Sequence, residues 1–504
     1  MKNMFLSLFF FLTTASMAEI KLPVHYDTLP NGLKVIIVPD TNVAVVSCRL
    51  YYFVGSMYEG PGTSGLSHMY EHMMFKGTKR LGTKNYQKEV PIMKSIDSLV
   101  DRIGIEKNKK TAHSDSLIEA YQKKIHELLD KQREQIKKDE IWELYQNNGG
   151  TNLNAWTADD MTAYIVTLPK NKMELFYWIE SDRMKEPVLR EFYSERDVVM
   201  EERRMRYDNR PVNKYWERLN SLFYIAHPYR LPTIGWESDI AAYTRQKMEE
   251  HVRRFYTPDN ALIVLVGNVE PKTALMEIKR YFNPIPRAKQ PKQEVVTREP
   301  SSAGTIRFTM RAAGEPRMDI LFHTPGYPAD DLYKLDIIQG IFSGKSGRLY
   351  RRLVNKEGLC TDVGAANNFR LQDGYFEITA SLKGDTDPAK VEKIIFEELD
   401  KISTDPPTPQ EMMRITNGIR MDFITGLESL EHLSDQLAWF ERLGSWEDLE
   451  KYPSEIAKVT AQQIPPIVKK YLRSDQATIG SLLPEQQQAL KAVPENKTQS
   501  GGKK

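Results

Sequence analysis

Residues 284–304 divide the chain. Four prolines fall in this stretch among Lys, Gln, Ser and Glu, with few apolar side chains. Such a segment offers neither a helical nor a strand period to bury, so it reads as an interdomain linker. The 504 residues exceed one ordinary domain, and each side of the linker is long enough to bury its own core. The expected organisation is a first domain over 19–283, a second over 305–490, and a disordered Lys-, Gly-, Gln- and Ser-rich tail over 491–504.

Residues 1–18 read as a secretory signal peptide. Lys2 precedes an apolar run over 4–12, and Ser16 and Ala18 place small residues before a cleavage point at Glu19. That run is too short to span a membrane. The expected location is exported, and periplasmic in a host with two membranes. A mean hydropathy of −0.51 excludes a polytopic membrane protein. Lys and Arg number 70 against 68 Asp and Glu, a balance with no pull toward nucleic acid. The two cysteines, Cys48 and Cys360, are too few for a disulfide scaffold and read as buried free thiols, with a bridge between them as the alternative.

Residues 32–38, 43–53 and 261–266 have the β-branched and aromatic texture of strands, and 151–168 reads as two short strands around a polar turn. Residues 64–75, 171–183 and 191–206 carry helical patterns. No Gly-rich phosphate loop accompanies the alternation, so the class is α+β rather than a nucleotide-binding doubly wound sheet. Phe255-Tyr256 ahead of 261–264 resembles Lys470-Tyr471 ahead of 477–480, and Phe75-Lys76-Gly77 resembles Phe342-Ser343-Gly344. These echoes suggest a duplicated unit. The charged stretch 94–145 reads as a helical insertion, with Leu117, Tyr121, Ile125 and Leu128 at helical spacing and breaks at Gly104 and 111–114.

The chemistry concentrates in His68-Met69-Tyr70-Glu71-His72. Two histidines four apart leave one face of a helix a turn apart, which suits two nitrogen ligands of a tetrahedral zinc. Glu71 lies on the same side, where a carboxylate can take a proton from water at the metal. A third ligand is required, with one position left open. Glu195 and Glu202 are seven apart and share one helical face, so one carboxylate can bind metal while the other supports a ligand. By spacing alone, 195–204 fits a solvated charged helix better than a ligand helix.

Taken together, these segments resemble the pitrilysin-type (M16) zinc metallopeptidases, with their inverted His-x-x-Glu-His motif. The likeness is carried by 65–78 around the motif, Leu153-Asn154-Ala155-Trp156-Thr157, 195–202, His227-Pro228-Tyr229, Gly235, and 256–260 through Gly267-Asn268-Val269. It implies two homologous α+β domains, each a mainly antiparallel sheet packed with helices, forming half of a clamshell. It implies an endopeptidase for peptides or unfolded segments, with one zinc held by His68, His72 and Glu202. Glu71 would be the general base, Glu195 would stand behind the ligands, and Asn154 and Ala155 would receive the peptide as an added strand. A non-catalytic scaffold subunit of an M16-like heteromer is the alternative.

The sequence departs from that family pattern in its second half. Aligning Phe342 with Phe75 places Leu335, Ile338 and Gln339 where His68, Glu71 and His72 stand. Many active members also carry an Arg and a Tyr in the C-terminal half that hold substrate and stabilise the intermediate. Val354 and Thr361 occupy those positions here and can supply neither group. The expected partner is a second M16-like chain bearing the Arg/Tyr pair, or otherwise a second copy of this chain.

Overall fold

The computed structural model describes residues 21–109, 114–290 and 292–485. The expected signal peptide and the tail 491–504 lie outside the described residues. Eleven described strands form two sheets. The first contains β1 (His25–Thr28), β2 (Lys34–Pro39), β3 (Val45–Tyr52), β4 (Thr151–Thr157), β5 (Thr162–Pro169) and β6 (Ala261–Gly267), in the order β1-β2-β6-β3-β5-β4. The second contains β7 (Ile306–Arg311), β8 (Arg317–Pro325), β9 (Cys360–Asn368), β10 (Asp373–Leu382) and β11 (Thr478–Leu483), in the order β7-β11-β8-β10-β9.

Apart from β1, the two orders are the same. Each sheet has one parallel pair, β2 with β6 and β11 with β7, while the other neighbours are antiparallel. The sequence echoes at 261–264 and 477–480 fall on the equivalent strands β6 and β11. Two mixed α+β units of one topology are what the sequence patterns imply.

The central strands of each sheet are covered on both faces, and the halves cover one another. Along β6, Ile263 and Leu265 face a core built with the first half's own helices. Leu262, Val264 and Val266 face Leu433, Leu437 and Ala438 of helix Leu430–Leu443, which belongs to the second half. Conversely, Tyr215, Leu219 and Phe223 of helix Pro211–Phe223 in the first half pack on Leu321 and Leu482 of the second sheet. Gly480 makes this possible, because a Cβ there would run into the Tyr215 hydroxyl and Leu219. Tyr215 also donates to buried Asp319 at 2.8 Å. Residues 283–290 and 292–305, which hold no strand or helix, are tied down. Glu299 accepts from the backbone N–H groups of Ile225, Ala226 and His227 at 2.8–3.0 Å.

The insertion is helical but differs in detail from the sequence reading. Helix Tyr86–Lys107 starts earlier and runs through Gly104, which meets no neighbour and causes no break. Helix Asp115–Arg133 starts at the Ser114 cap, and residues 110–113 are outside the description. Its buried positions are Ile118, Leu129 and Gln132, whereas Leu117 is exposed, so the apolar stripe is rotated toward Ile118. Helix Glu140–Asn147 completes the insertion and returns the chain to β4. Cys48 and Cys360 are buried and unpaired, one in each sheet. No described helix is long and apolar enough to cross a membrane.

Mutual covering makes the halves one cooperative unit. Leu437→Ala should cost about 2–5 kcal/mol by leaving a cavity on the first sheet. In calorimetry it should lower the unfolding of both halves together. Two separate transitions, with only the second displaced, would contradict this packing.

Candidate metal centre

The motif histidines sit on helix Leu66–Met73, whose start is built by distant groups. Gly65 precedes it at φ +87°, and a Cβ there would meet the backbone of Ile234 and Gly235. Only glycine allows both the left-handed turn and that approach. No side chain at the cap position serves the first N–H groups. Instead the buried Glu59 carboxylate accepts from the N–H groups of Gly65 at 2.5 Å and Ser67 at 2.7 Å. Asp239 accepts from the N–H of Gly62 and from the N–H and hydroxyl of Ser64 at 2.6–3.2 Å. Buried His251 lies 3.1 Å from the Ser67 hydroxyl.

Helix Phe192–Arg203 lies against the motif helix and presents Glu195 and Glu202 on the shared face. Its end is fixed by buried Arg203, which donates to the Gly235 carbonyl at 2.7 Å and pairs with Glu217 at 2.9 Å. The chain then widens into a π-turn, Arg204–Asp208, from which Arg206 reaches Oε1 of Glu202 at 3.0 Å.

Three donors converge between the two helices. Oε2 of Glu202 is 3.2 Å from Nε2 of His72 and 3.7 Å from Nε2 of His68. The candidate ligand atoms of this trio lie within 4.8 Å of one another. Tetrahedral zinc with bonds near 2.05 Å needs ligand separations of about 3.3 Å, so the trio is spaced for such an ion with little adjustment. Behind it, Nδ1 of His72 is 3.0 Å from Oε1 of Glu195, whose other oxygen is 2.6 Å from Nζ of Lys76. A carboxylate on the far nitrogen fixes the ring and keeps Nε2 toward the centre. His68 Nδ1 is buried and has no hydrogen-bond partner among the described residues.

The electrostatics also suit a cation. Burial, reinforced by His72, lowers His68 to about 4, leaving a neutral imidazole with a free lone pair. Burial opposes charge on His72 too, but the Glu195 and Glu202 carboxylates prevail and raise it to about 9. Glu195 meets the same opposition, yet His72 and Lys76 hold it down at about 2. Positive charge is thus favoured between the two carboxylates, where a metal ion would supply it. Glu71 stands beside the trio with its carboxyl raised by burial and partly restored by a hydrogen bond from Thr157.

The other predicted positions are spread over both sheets. Asn154 and Ala155 lie on β4, the terminal strand of the first sheet, paired only with β5 and touching the motif helix. In the second half, Leu335 and Ile338 are core residues of helix Asp331–Phe342, and Gln339 accepts from the Asn367 N–H at 2.8 Å. Val354 is half-buried in the turn Tyr350–Lys356, and Thr361 is exposed near the start of edge strand β9. Arg351 and Arg352 turn to Glu411 and Glu357. Sequence reasoning gave no role to Lys76 or Thr157, although both stand inside quoted motifs, nor to Glu59, which has no local signal.

Known proteins resemble this chain in sequence and in fold. The family model described as Insulinase (Peptidase family M16) matches residues 34–93, which include the motif helix. The model described as Peptidase M16 inactive domain matches residues 242–419. Zinc protease PqqE of Helicobacter pylori is 26% identical over 483 residues, covering 93% of this chain and 94% of that protein. An uncharacterized zinc protease of Mycobacterium leprae is 24% identical over 455 residues, covering 87% and 86%. A solved protease from Helicobacter pylori aligns with a TM-score of 0.77 at 23% identity, over 92% of this chain and 100% of that one. The periplasmic protease PqqL from Escherichia coli aligns with a TM-score of 0.69 at 16% identity, over 92% of this chain and 48% of that one.

The cap beneath the histidines has its own signature. Burial pushes Glu59 up to about 7, against the pull of the Ser67 and Gly65 N–H groups. A raised carboxyl pKa adds stability that is full below its ordinary 4.5 and is lost as pH rises through about 7. Glu59→Gln should therefore flatten the pH dependence of urea unfolding across that window. Glu59→Ala, which strands two N–H groups, should cost about 2–4 kcal/mol.

Proposed function

The chain belongs to the M16 peptidase family, and on that premise we propose that it is a zinc-dependent endopeptidase acting on peptides or unfolded segments. The observation that carries this reading is the convergence of His68, His72 and Glu202 with Glu71 beside them and Glu195 behind. His68, His72 and Glu202 are the proposed ligands of one zinc. That ion, when bound, supplies Lewis acidity, polarising a carbonyl and acidifying water.

The chain's own residues do the rest. Glu71 accepts a proton from the attacking water and returns it to the leaving amine. Glu195, charged and backed by Lys76, keeps the His72 ring turned to the centre. β4 has an open edge beside the motif helix, where a peptide pairs through its backbone at Asn154 and Ala155. The periplasmic location named for PqqL and the apolar N-terminal run support export to a periplasm. With Val354 and Thr361 in place of an Arg/Tyr pair, a second M16-like chain is the proposed source of those donors, and a homodimer is the competing arrangement. A scaffold subunit has no use for an intact donor trio with a half-buried carboxylate behind it.

Cleavage of a quenched peptide by the zinc-loaded chain tests the reading. Glu71→Gln should keep its zinc and lose turnover by about a thousandfold. His68→Ala and Glu202→Ala should lose zinc in elemental analysis, and stoichiometric zinc in either would refute the ligand assignment. Glu195→Gln should weaken zinc binding by about 10- to 100-fold. Activity appearing only when a zinc-less partner with the Arg/Tyr pair is added would establish the heteromer; full activity alone would remove it.

A further inference from the structure

One hydrogen bond joins the base to the peptide-receiving strand. The Thr157 hydroxyl donates to Oε2 of Glu71 at 2.6 Å, and Thr157 is the last residue of β4. No other described group hydrogen-bonds the Glu71 carboxylate. A glutamate's terminal torsion is broad when nothing holds it, so this contact selects one orientation among many.

Thr157 is itself held from both halves of the chain. It pairs with Thr162 of β5, and Ala158 N–H donates to the Met161 carbonyl at 2.9 Å, closing the turn that follows. Within that turn Asp159 accepts from the Ser56 hydroxyl at 2.8 Å and lies 3.0 Å from the guanidinium of Arg370. Arg370 comes from the second half and is caged by the rings of Tyr224, Tyr229 and Tyr375 at 4.6–5.6 Å. Arg442, also from the second half, donates to the Asp160 carbonyl at 3.0 Å. A turn fixed this many ways leaves its first hydroxyl no freedom to drift.

We propose that Thr157 is a positioning residue for Glu71. It occupies Oε2, so Oε1 is the oxygen that takes the proton from water. Being on β4, it also ties the base to the strand on which the peptide is laid. Thr157 keeps its own proton throughout; the one transferred runs from water to Oε1 and then to the leaving amine. This role rests on the peptidase reading.

Thr157→Val preserves the β-branched shape and removes the donor. With bound zinc and KM unchanged, kcat should fall by about 10- to 100-fold, as expected for loss of a hydrogen bond to a charged group. Thr157→Ser should restore it to within a few fold. A Val variant as fast as the unmodified chain, or a Ser variant as slow as Val, would overturn the role. A double-mutant cycle of Thr157→Val with Glu71→Ala in urea unfolding reads the contact without turnover, and additive effects would also overturn it. A zinc-loaded chain that cleaves nothing, even with a partner, while the pair stays coupled would refute the peptidase reading and this role with it. An active enzyme with an uncoupled pair would refute this role alone.

Discussion

Each sheet has an apolar second face that the other half of the chain covers. Helix Leu430–Leu443 lies on the first sheet and helix Pro211–Phe223 on the second, so neither half closes its core alone. Exposing either face would present a broad hydrophobic surface to water, which the folded chain avoids only by holding both halves in register. The relative placement of the halves is therefore part of the core. That placement lets Arg370 and Arg442 reach across to the turn after β4.

Within this frame the centre is a row of alternating charges. Lys76, Glu195, His72, Glu202 and Arg206 follow one another at 2.6–3.2 Å. Buried or half-buried charges persist only when paired, and each member here is paired on both sides or opens to solvent. His68 is the exception, neutral and poorly partnered, because burial keeps it unprotonated. An ion taking one lone pair from each histidine and one oxygen from Glu202 fits this pattern, since the carboxylates already favour positive charge there.

The parts legible in the sequence were those governed by local periodicity. A spacing of four between His68 and His72, and of seven between Glu195 and Glu202, specifies a helical face whatever surrounds it. Strand texture likewise identified β2, β3, β5 and β6, which are buried on both sides. What local pattern missed is contact across long separations. Asp239 holds a loop 177 residues before it, Thr157 finds Glu71 across 86 residues, and even Glu59 reaches past the intervening loop to cap a helix it does not adjoin. None of these acids or hydroxyls differs in the sequence from a solvated one. Leu117 and Ile118 show the same limit at finer grain, since a charged helix with a narrow apolar stripe is ambiguous by one position until its neighbour is known.

The second half repeats the first half's strand order without its donors. Leu335 and Ile338 fill the core where His68 and Glu71 would stand, and Gln339 binds the backbone of β9. Exchanging ionisable groups for apolar ones removes the cost of burying charge, so this half is free to serve as a packed support. Its connection to the site is then mechanical. Two of its arginines, one caged by tyrosine rings, bear on the Asp159–Asp160 turn, and that turn follows the hydroxyl that holds Glu71. A domain without the donor trio can thus bear on the geometry of the proposed base, Glu71, in its neighbour, through packing and a few charge-assisted hydrogen bonds.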